Sequence, residues 1–370
     1  MSAQIEEIFE PLGIRWVDAL RANPRAEFIP EQAWAHPDGD DTGRLINRSI
    51  DPADWEKVVG SNVPIITQID DGRAPISVGG DGFYTSSCSM PSIVAAELEL
   101  LGLKRDDDVL EIGTGTGWTA GLISHYVKHG RVVTIEVDEE IHSQAVRNLA
   151  RARSSALPVF GDGMLGYPDG APYDAVHVTV GSTCASPAWI AQTRPGGTVV
   201  FPWMPAWSSH GGTFVALRPL GDGTAVGRFG PGCTFMMIRS QRDKEQFILG
   251  EDWRERPARI DPQRLVGEWA AVIALAATLP GVSCSAGANG GGFILYAYTD
   301  AAAARVAWNE DAGDWIVRYG GDRDLYAEAE EAFTRWLSLG SPAAHRYGYT
   351  STPDGDTIWL DTPAHVVGPF

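Results

Sequence analysis

A glycine-rich turn is the part of the chain whose residue types point most directly to chemistry. Residues 109–117 join an apolar strand carrying Glu111 to glycines at alternate positions, and a helix pattern follows over residues 118–129. Glycine permits tight turns and lets a ligand lie against the backbone, because it has no Cβ. The segment therefore predicts the first strand and first turn of a nucleotide-binding α/β sheet.

The spacing of these glycines narrows the choice of nucleotide that the turn could bind. The pattern is G-x-G-x-G, whereas dinucleotide sites use G-x-G-x-x-G, and no Lys-Ser/Thr pair follows to make a P-loop. A carboxylate at Glu111 is unfavourable beside a pyrophosphate but compatible with a cation. The ammonium and sulfonium groups of S-adenosylmethionine are such cations, so this ligand is favoured.

Two later strand ends extend the pattern. Glu136 ends a strand predicted over residues 132–136, where it can accept hydrogen bonds from ribose hydroxyls, and Asp162 follows a third strand, where it can accept from an adenine amino group. Acidic strand ends in this order predict a class I S-adenosylmethionine-dependent methyltransferase fold, a Rossmann-like doubly wound α/β sheet. The predicted cofactor-binding residues are Glu111, Gly113, Thr114, Gly115, Gly117, Glu136, Val137, Gly161, Asp162 and Gly163.

Alternating strands and helices support this sheet. Helices are predicted over residues 14–20, 91–101, 118–129, 140–153 and 187–193, and strands over residues 63–69, 108–112, 132–136, 173–180 and 198–202. Residues 213–217 and 233–239 are predicted to form a closing antiparallel pair.

The pattern changes from about residue 241. An amphipathic helix is predicted over residues 263–279, strands over 293–299 and 315–319, a helix over 324–337, and a hairpin that pairs 347–350 with 357–360. The predicted organisation is an N-terminal helical and loop region with an insertion (1–80), a methyltransferase core (81–242) and a small α+β appendage (250–370), a candidate peptide-recognition region.

Composition excludes several classes of protein. The 370 residues include 29 Lys and Arg against 48 Asp and Glu, a net charge of −19 that disfavours nucleic acid as a partner. No signal peptide or membrane-length apolar run is evident, so a soluble, cytoplasmic protein without a membrane partner is expected. The four cysteines are widely spaced and no metal site is predicted; His125 and His129, an i, i+4 pair, fit either a metal site or a helix end.

The core resembles the protein-L-isoaspartate O-methyltransferase family over about residues 14–242. The motifs that carry the resemblance are residues 28–30 (FIP), 85–91 (TSSCSMP), 110–117 (LEIGTGTG), 161–163 (GDG), 173–178 (YDAVHV) and 194–197 (RPGG). The segment before Pro91 is the most specific of these. The family has Thr-Ile-Ser-x-Pro there, and its Ser lies beside the transferring methyl group and the substrate carboxylate.

This resemblance implies that Ser89 is catalytic and contacts the substrate, with Ser87 at the family's Thr position. The alternative for both hydroxyls is capping of the helix that begins near Pro91. Val180, Gly181 and Ser182 follow the carboxyl end of a strand, where α/β proteins bind ligands, and are predicted substrate-binding residues. The alternative for them is an ordinary βα turn.

Several features depart from the family pattern. The chain is longer than the housekeeping repair enzymes, residues 36–80 look like an insertion, Cys88 replaces an Ile, and Ser92 replaces an aromatic residue or His. These features resemble the subgroup associated with ribosomally synthesised modified peptides (lanthipeptides, lasso peptides and graspetides). That subgroup implies methylation of an Asp of a precursor peptide, whose ester closes to an aspartimide.

Two other functions stay open. One is repair of L-isoaspartyl residues, and the other is a non-enzymatic scaffold that binds S-adenosylmethionine. His177 fits either the core or a substrate contact, Trp118 either the cofactor site or helix packing, and Trp203 and Trp207 either a peptide groove or the core. The sequence makes no prediction of oligomeric state.

Overall fold

A computed structural model describes residues 2–36, 43–208, 211–242, 253–289 and 292–369. The chain forms two compact units, Met1–Val180 with Ala188–Val200, and Gly181–Pro187 with Phe201–Phe370. These units group residues 1–80 with the predicted core, and residues 201–242 with the C-terminal segment. The domain boundaries inferred from the sequence, near residues 80 and 242, stay predictions.

The N-terminal part of the first unit is a small antiparallel sheet with three helices. The helices are α1 (Ala3–Phe9), α2 (Ile14–Ala22) and α3 (Pro52–Val59). The strands are β1 (Gln32–Ala35), β2 (Arg44–Asn47), β3 (Ile65–Ile69) and β4 (Tyr84–Cys88), in the order β2-β1-β3-β4. The loop-rich stretch predicted over residues 36–54 thus contains a strand and the start of a helix, and its residues 37–42 lie outside the described residues.

A parallel sheet forms the rest of the first unit. Its strands are β5 (Val109–Ile112), β6 (Val132–Glu136), β7 (Leu157–Phe160), β8 (Tyr173–Val178) and residues 193–200 of β9 (Thr193–Trp203). The order is β9-β8-β5-β6-β7, with every pair parallel. The helices of this part are α4 (Pro91–Leu101), α5 (Trp118–Tyr126), α6 (Glu139–Arg151) and α7 (Pro187–Ala191).

This arrangement confirms the predicted doubly wound α/β sheet. The strand β5 is completely buried and lies between β6 and β8, so its carboxyl end is at the point where the order of the sheet reverses. Ligands of open α/β sheets bind at such a point. The glycine-rich turn therefore occupies the position that the motif predicts.

Antiparallel strands dominate the second unit. The strands β10 (Gly212–Pro219), β11 (Ala225–Cys233), β17 (Tyr347–Thr352), β18 (Gly355–Leu360) and β19 (Val366–Pro369) pair in that order. A separate sheet has the order β12-β16-β15-β14-β13, from β12 (Arg254–Pro257), β13 (Ser283–Asn289), β14 (Gly292–Tyr298), β15 (Ala302–Asn309) and β16 (Asp314–Gly321). The helices are α8 (Pro262–Gly267), α9 (Trp269–Thr278) and α10 (Leu325–Ser338).

Two element predictions in this unit are wrong. The strand expected over residues 233–239 lies earlier, over Ala225–Cys233, because its glycines allow close backbone approach in a segment that has the composition of a turn. The amphipathic helix expected over residues 263–279 is two helices, since Glu268 adopts an extended conformation between them. The second of these helices, α9, is buried on nearly all sides rather than amphipathic.

The predicted C-terminal hairpin is confirmed, with Thr350 opposite Thr357. Its partner, however, is β11, which pairs with β17 from Ala225 opposite Ser351 to Arg228 opposite Gly348. None of the helices within the described residues combines the length and the apolar composition that a membrane-spanning segment needs.

Candidate active site

The glycine-rich turn runs from the end of β5 to the start of α5. Gly113, Gly115 and Gly117 all have positive φ angles, of 91°, 52° and 85°. Residues with a Cβ rarely adopt these angles, so glycine is required at the three alternate positions. The N–H groups of Gly113 and Thr114 donate to the carbonyl oxygen of Ile135, which ties the turn to the neighbouring strand β6.

The turn lies between two other segments that the sequence singles out. A Cβ on Gly115 would be 3.3 Å from the carbonyl oxygen of Ser87, and a Cβ on Gly113 would be 2.8 Å from the Val180 side chain. The structure thus brings the predicted cofactor loop, the Ser87–Ser89 segment and Val180 together. These segments are far apart in the sequence, so only the fold makes them neighbours.

Glu136, at the end of β6, faces the same turn. One carboxylate oxygen accepts from the Gly115 N–H at 3.0 Å, and the other accepts from the N–H groups of Val137 and Asp138 at 3.0 and 3.1 Å. Burial raises the pKa of Glu136, and these donors partly oppose the rise. A ribose would have to share or replace the bond to Gly115.

The third predicted contact region follows β7. Asp162 is exposed and its carboxylate accepts from the Met164 N–H at 2.9 Å, while a Cβ on Gly163 would meet the Ile112 side chain. Val137, just after β6, and Phe160, the last residue of the neighbouring strand β7, are 42% and 56% exposed. Exposed apolar side chains and an exposed carboxylate suit the flat, apolar and hydrogen-bonding surface of an adenine ring.

Glu111 departs from its predicted role. Its side chain is completely buried, and its carboxylate accepts from the Thr134 hydroxyl at 2.6 Å. The Thr134 hydroxyl in turn lies 2.7 Å from that of Thr114, in the glycine-rich turn. Glu111 therefore supports the glycine-rich turn through Thr134 and Thr114. Because the Glu111 side chain is buried, the prediction that it contacts the cofactor directly is corrected.

His177 and Glu97 complete this buried cluster, which we call the carboxylate–imidazole cluster (Glu97, Glu111 and His177). The His177 ring nitrogens lie 3.5 Å from the carboxylates of Glu97 and Glu111. Burial lowers the pKa of His177, but the two carboxylates outweigh this effect and raise that pKa to about 9. His177 is thus a core residue, and Glu97, on α4, is a partner that sequence reasoning missed.

Ser87 and Ser89 lie just before α4 and are both half-buried. The capping residue of α4 is Met90, which makes no side-chain cap bond, and the Ser92 N–H in the first turn donates to the Asn62 side chain at 2.9 Å rather than to a serine. The helix-capping alternative for the two hydroxyls is therefore wrong. They remain available to a molecule placed beside the glycine-rich turn.

Arg25 holds the Ser87–Ser89 segment in place, and the sequence did not predict this role. Its guanidinium, in a residue only 5% exposed, donates to backbone carbonyl oxygens. These belong to Val59 (3.0 Å), Ser61 (3.2 Å), Val63 (2.7 Å), Cys88 (3.0 Å) and Ser89 (2.8 Å). The sequence signal was present, since Arg25 stands three residues before the FIP motif, but nothing in the sequence shows that it meets residues 88 and 89.

The residues after β8 fit their predicted substrate role only in part. Val180 is half-buried beside Gly113. In the second unit, the N–H groups of Gly181 and Ser182 donate to Met236 and Pro202 carbonyl oxygens at 2.8 and 2.9 Å. Ser182 is also completely buried and donates its hydroxyl to the Cys184 carbonyl. These bonds occupy the donors of Gly181 and Ser182, which corrects the expectation that they bind substrate through them.

Three tryptophans belong to the core of their own unit. The Trp118 indole donates to the Asn23 carbonyl at 3.1 Å, and those of Trp203 and Trp207 donate to the Thr183 and Leu265 carbonyls at 2.9 and 3.4 Å. All three side chains are almost completely buried. The cofactor-site and peptide-groove alternatives for them are therefore wrong.

Comparison with known proteins identifies the family. The family model for protein-L-isoaspartate(D-aspartate) O-methyltransferase matches residues 70–235. This match includes residues 70–80, which corrects the expectation that they belong to an insertion foreign to the family. The glycine-rich turn, the Ser87–Ser89 segment and the Val180 region all fall inside it.

Two relatives and one solved structure extend this result. The protein-L-isoaspartate O-methyltransferase of Trichlorobacter lovleyi is 36% identical over 173 residues, 46% of this chain and 75% of that protein. Protein-L-isoaspartate O-methyltransferase 1 of Nitrosospira multiformis is 38% identical over 129 residues, 35% of this chain, so the chain spans about half of its length (52%).

The solved structure, of a protein-L-isoaspartate O-methyltransferase, is 21% identical and has a TM-score of 0.57. It covers 98% of this chain and all of its own, and it shows a shared fold. The family match agrees with the Trichlorobacter lovleyi relative, which is matched over three quarters of its length. This chain belongs to the protein-L-isoaspartate(D-aspartate) O-methyltransferase family.

Proposed function

We propose that this protein transfers a methyl group from S-adenosylmethionine to the side-chain carboxylate of an isoaspartyl residue in a peptide or protein. One observation carries the proposal. The glycine-rich turn lies close to the Ser87–Ser89 segment, since a Cβ added at Gly115 would be only 3.3 Å from the Ser87 carbonyl oxygen. A molecule lying on the turn therefore has the two serines as neighbours.

The residues present fit S-adenosylmethionine. The positive φ angles at Gly113 and Gly115 leave open backbone where a side chain would otherwise stand. Glu136 provides carboxylate oxygens for ribose hydroxyls, and the exposed Val137 and Phe160 provide apolar surface for adenine. When bound, S-adenosylmethionine supplies a methyl group on a positively charged sulfur.

The chemistry asks little of acid or base groups. A carboxyl group of the aspartyl type titrates near pH 4, so it is already an anion at neutral pH, and no side chain has to remove a proton. The protein has to orient the carboxylate and displace water from it. In this proposal, the Ser89 hydroxyl donates to one carboxylate oxygen and leaves the other directed at the methyl group, with Ser87 in support.

Two residues are candidates for the carboxylate that receives the methyl group, an isoaspartyl residue and an Asp of a precursor peptide. One hypothesis is a ribosomal-peptide substrate, with an Asp of a precursor peptide as methyl acceptor and aspartimide as product. It depends on the enlarged ends of the chain. A solved structure named as a protein-L-isoaspartate O-methyltransferase covers 98% of this chain, so length and the C-terminal segment do not favour that reading. The family relatives carry the isoaspartate name, which supports the isoaspartyl acceptor.

The experiment compares two unstructured peptides of identical sequence, one with L-isoaspartate and one with L-aspartate at a single position. Each is incubated with the protein and S-adenosylmethionine, and the gain of one methyl group is followed by mass spectrometry. We expect methylation of the isoaspartyl peptide alone. Methylation of the aspartyl peptide, followed by loss of methanol, would favour the ribosomal-peptide reading, and no methylation of either would favour a binding scaffold.

Ser89→Ala tests the proposed role of the hydroxyl. Loss of a hydrogen bond to a charged group costs about 1.5–3 kcal/mol, so we expect kcat/KM to fall by about tenfold to a hundredfold. Affinity for S-adenosylmethionine, measured by calorimetry, should stay unchanged. Ser49→Ala, on an exposed turn, is the matched control and should leave both quantities unchanged. Full activity of Ser89→Ala would contradict the assignment.

A further inference from the structure

Arg25 is a buried cation whose hydrogen bonds all go to backbone oxygens. It donates to five main-chain carbonyls, and two of these, of Cys88 and Ser89, belong to the Ser87–Ser89 segment described above. The guanidinium carbon also lies 5.3 Å from the centre of the Trp118 ring. The carbonyl dipoles and this ring together compensate the charge, so the side chain is held in one place.

The position of these carbonyls determines where the neighbouring N–H groups point. In a trans peptide, the C=O and N–H of one plane point in opposite directions, and the cis bond identified among the described residues is Ala171-Pro172. Since the Cys88 carbonyl points to Arg25, the Ser89 N–H points away from it. In the same way, the Ser89 carbonyl directs the Met90 N–H away from the guanidinium.

These two N–H groups are available for a ligand. In the part of the chain that the structure describes, neither the Ser89 nor the Met90 N–H has a hydrogen-bond acceptor. Both residues are half-buried rather than fully buried, and the Ser89 hydroxyl is on the same segment. Backbone N–H groups that a ligand shields from water have to be satisfied, so two adjacent donors without a protein acceptor can both bind an anionic group placed there.

We propose that Arg25 is a positioning residue, which fixes the Cys88 and Ser89 carbonyls and so directs the Ser89 and Met90 N–H groups at the acceptor carboxylate. This inference rests on the proposed function and adds to it the two backbone donors and the residue that aims them. Together with the Ser89 hydroxyl, they form a carboxylate-binding site in which the charge of Arg25 never contacts the substrate.

The test removes one donor without touching Arg25. Met90 has φ −61° and ψ 130°, which proline adopts without strain, so Met90→Pro deletes the N–H and keeps the backbone path. Met90→Ala, which loses the same side chain but keeps the N–H, is the matched control. The readout is the affinity of the protein loaded with S-adenosylhomocysteine for an isoaspartyl peptide, relative to the same peptide with a carboxamide in place of the carboxylate.

We expect Met90→Pro to reduce the preference for carboxylate over carboxamide by about tenfold (~1.4 kcal/mol), and Met90→Ala to leave it unchanged. Arg25→Lys keeps a charge but has fewer donors in a different geometry, and should reduce the same preference while affinity for S-adenosylhomocysteine stays within about twofold. Arg21→Lys, at an exposed arginine of α2, is its control.

The outcomes separate this inference from the proposed function. If the wild-type protein methylates the isoaspartyl peptide and Met90→Pro keeps the full carboxylate preference, the donor site and the role of Arg25 are both wrong while the function stands. If the wild-type protein neither methylates nor prefers the carboxylate peptide, both proposals are overturned. A loss of preference in Met90→Pro that Met90→Ala does not share supports the inference.

Discussion

Two buried charged sites support the two sides of the candidate active site in different ways. On the acceptor side, Arg25 is a single cation whose charge is compensated by carbonyl dipoles. On the cofactor side, the carboxylate–imidazole cluster combines groups that titrate, 3.5 Å apart. An arginine keeps its charge at any pH at which proteins fold, whereas histidine and glutamate do not. The same task, holding a loop in place, is thus pH-independent on one side and pH-dependent on the other.

The largest effect is expected from breaking the cluster. His177→Ala leaves the Glu97 and Glu111 carboxylates buried without their shared partner. Removal of one member of a buried ionic group costs about 3–5 kcal/mol, so the free energy of unfolding in urea should fall by that amount. The exposed His129 provides the control, and His129→Ala should change stability by less than about 0.5 kcal/mol. A loss below about 1 kcal/mol in His177→Ala would mean that the cluster does not hold the sheet together.

The stability of the protein is expected to depend on pH through the carboxylate–imidazole cluster. The pKa of His177 is raised from 6.5 to about 9 in the folded protein. The contribution of protonated His177 to the free energy of unfolding is therefore fully present below pH 6.5. It is lost as the pH rises to 9, a loss on the order of 3 kcal/mol. Burial also raises the pKa of Glu97, so its own contribution to stability is lost as the pH rises above the ordinary value of 4.5. Denaturant titrations from pH 6 to 9.5 measure this loss.

Variants then assign the pH dependence to one side. Glu97→Gln removes a carboxylate that raises the pKa of His177, so its stability should change less between pH 6.5 and 9. Arg25→Gln should keep the wild-type slope, because glutamine has no group that titrates and the cluster is unchanged. An equal slope in wild type and Glu97→Gln would contradict the assignment to the cluster.

The smallest effect is expected where the two sides meet. Gly115→Ala and Gly102→Ala both place a Cβ at a positive φ, of 52° and 59°, so both should lose about 1–2 kcal/mol of stability. The new Cβ has no neighbour within 4 Å at Gly102 but lies 3.3 Å from the Ser87 carbonyl at Gly115. Only Gly115→Ala should therefore weaken binding of S-adenosylmethionine, by about tenfold in a calorimetric titration. Equal affinity in both variants would remove the turn from the binding site.

Much of the fold could be predicted from the sequence. The helix α4 and the strand β6 have the predicted bounds, Pro91–Leu101 and Val132–Glu136, because apolar periodicity and flanking glycine or proline mark them locally. The misplaced strand near residue 233 and the divided helix near Glu268 show the limit. Glycine-rich strands and interrupted apolar helices are stabilised by neighbours that the local pattern does not contain.

The residue pattern alone establishes a glycine-rich turn after an apolar strand, acidic residues at the strand ends, and a serine segment before α4. Those features depend on local backbone preferences, above all the positive φ angles that only glycine adopts readily. It also determined the family resemblance, which the comparisons confirm.

The role of each charged residue depends on long-range contacts that the residue pattern does not contain. Whether Glu111 points at a ligand or into the core depends on which neighbours cover its strand, and here His177 and Thr134 take its carboxylate. Arg25 lies 64 residues from Ser89 in the sequence, yet its hydrogen bond to the Ser89 carbonyl sets the direction of the Ser87–Ser89 segment. Long-range burial selects these pairings, because a buried charge has to find its partners wherever the fold places them.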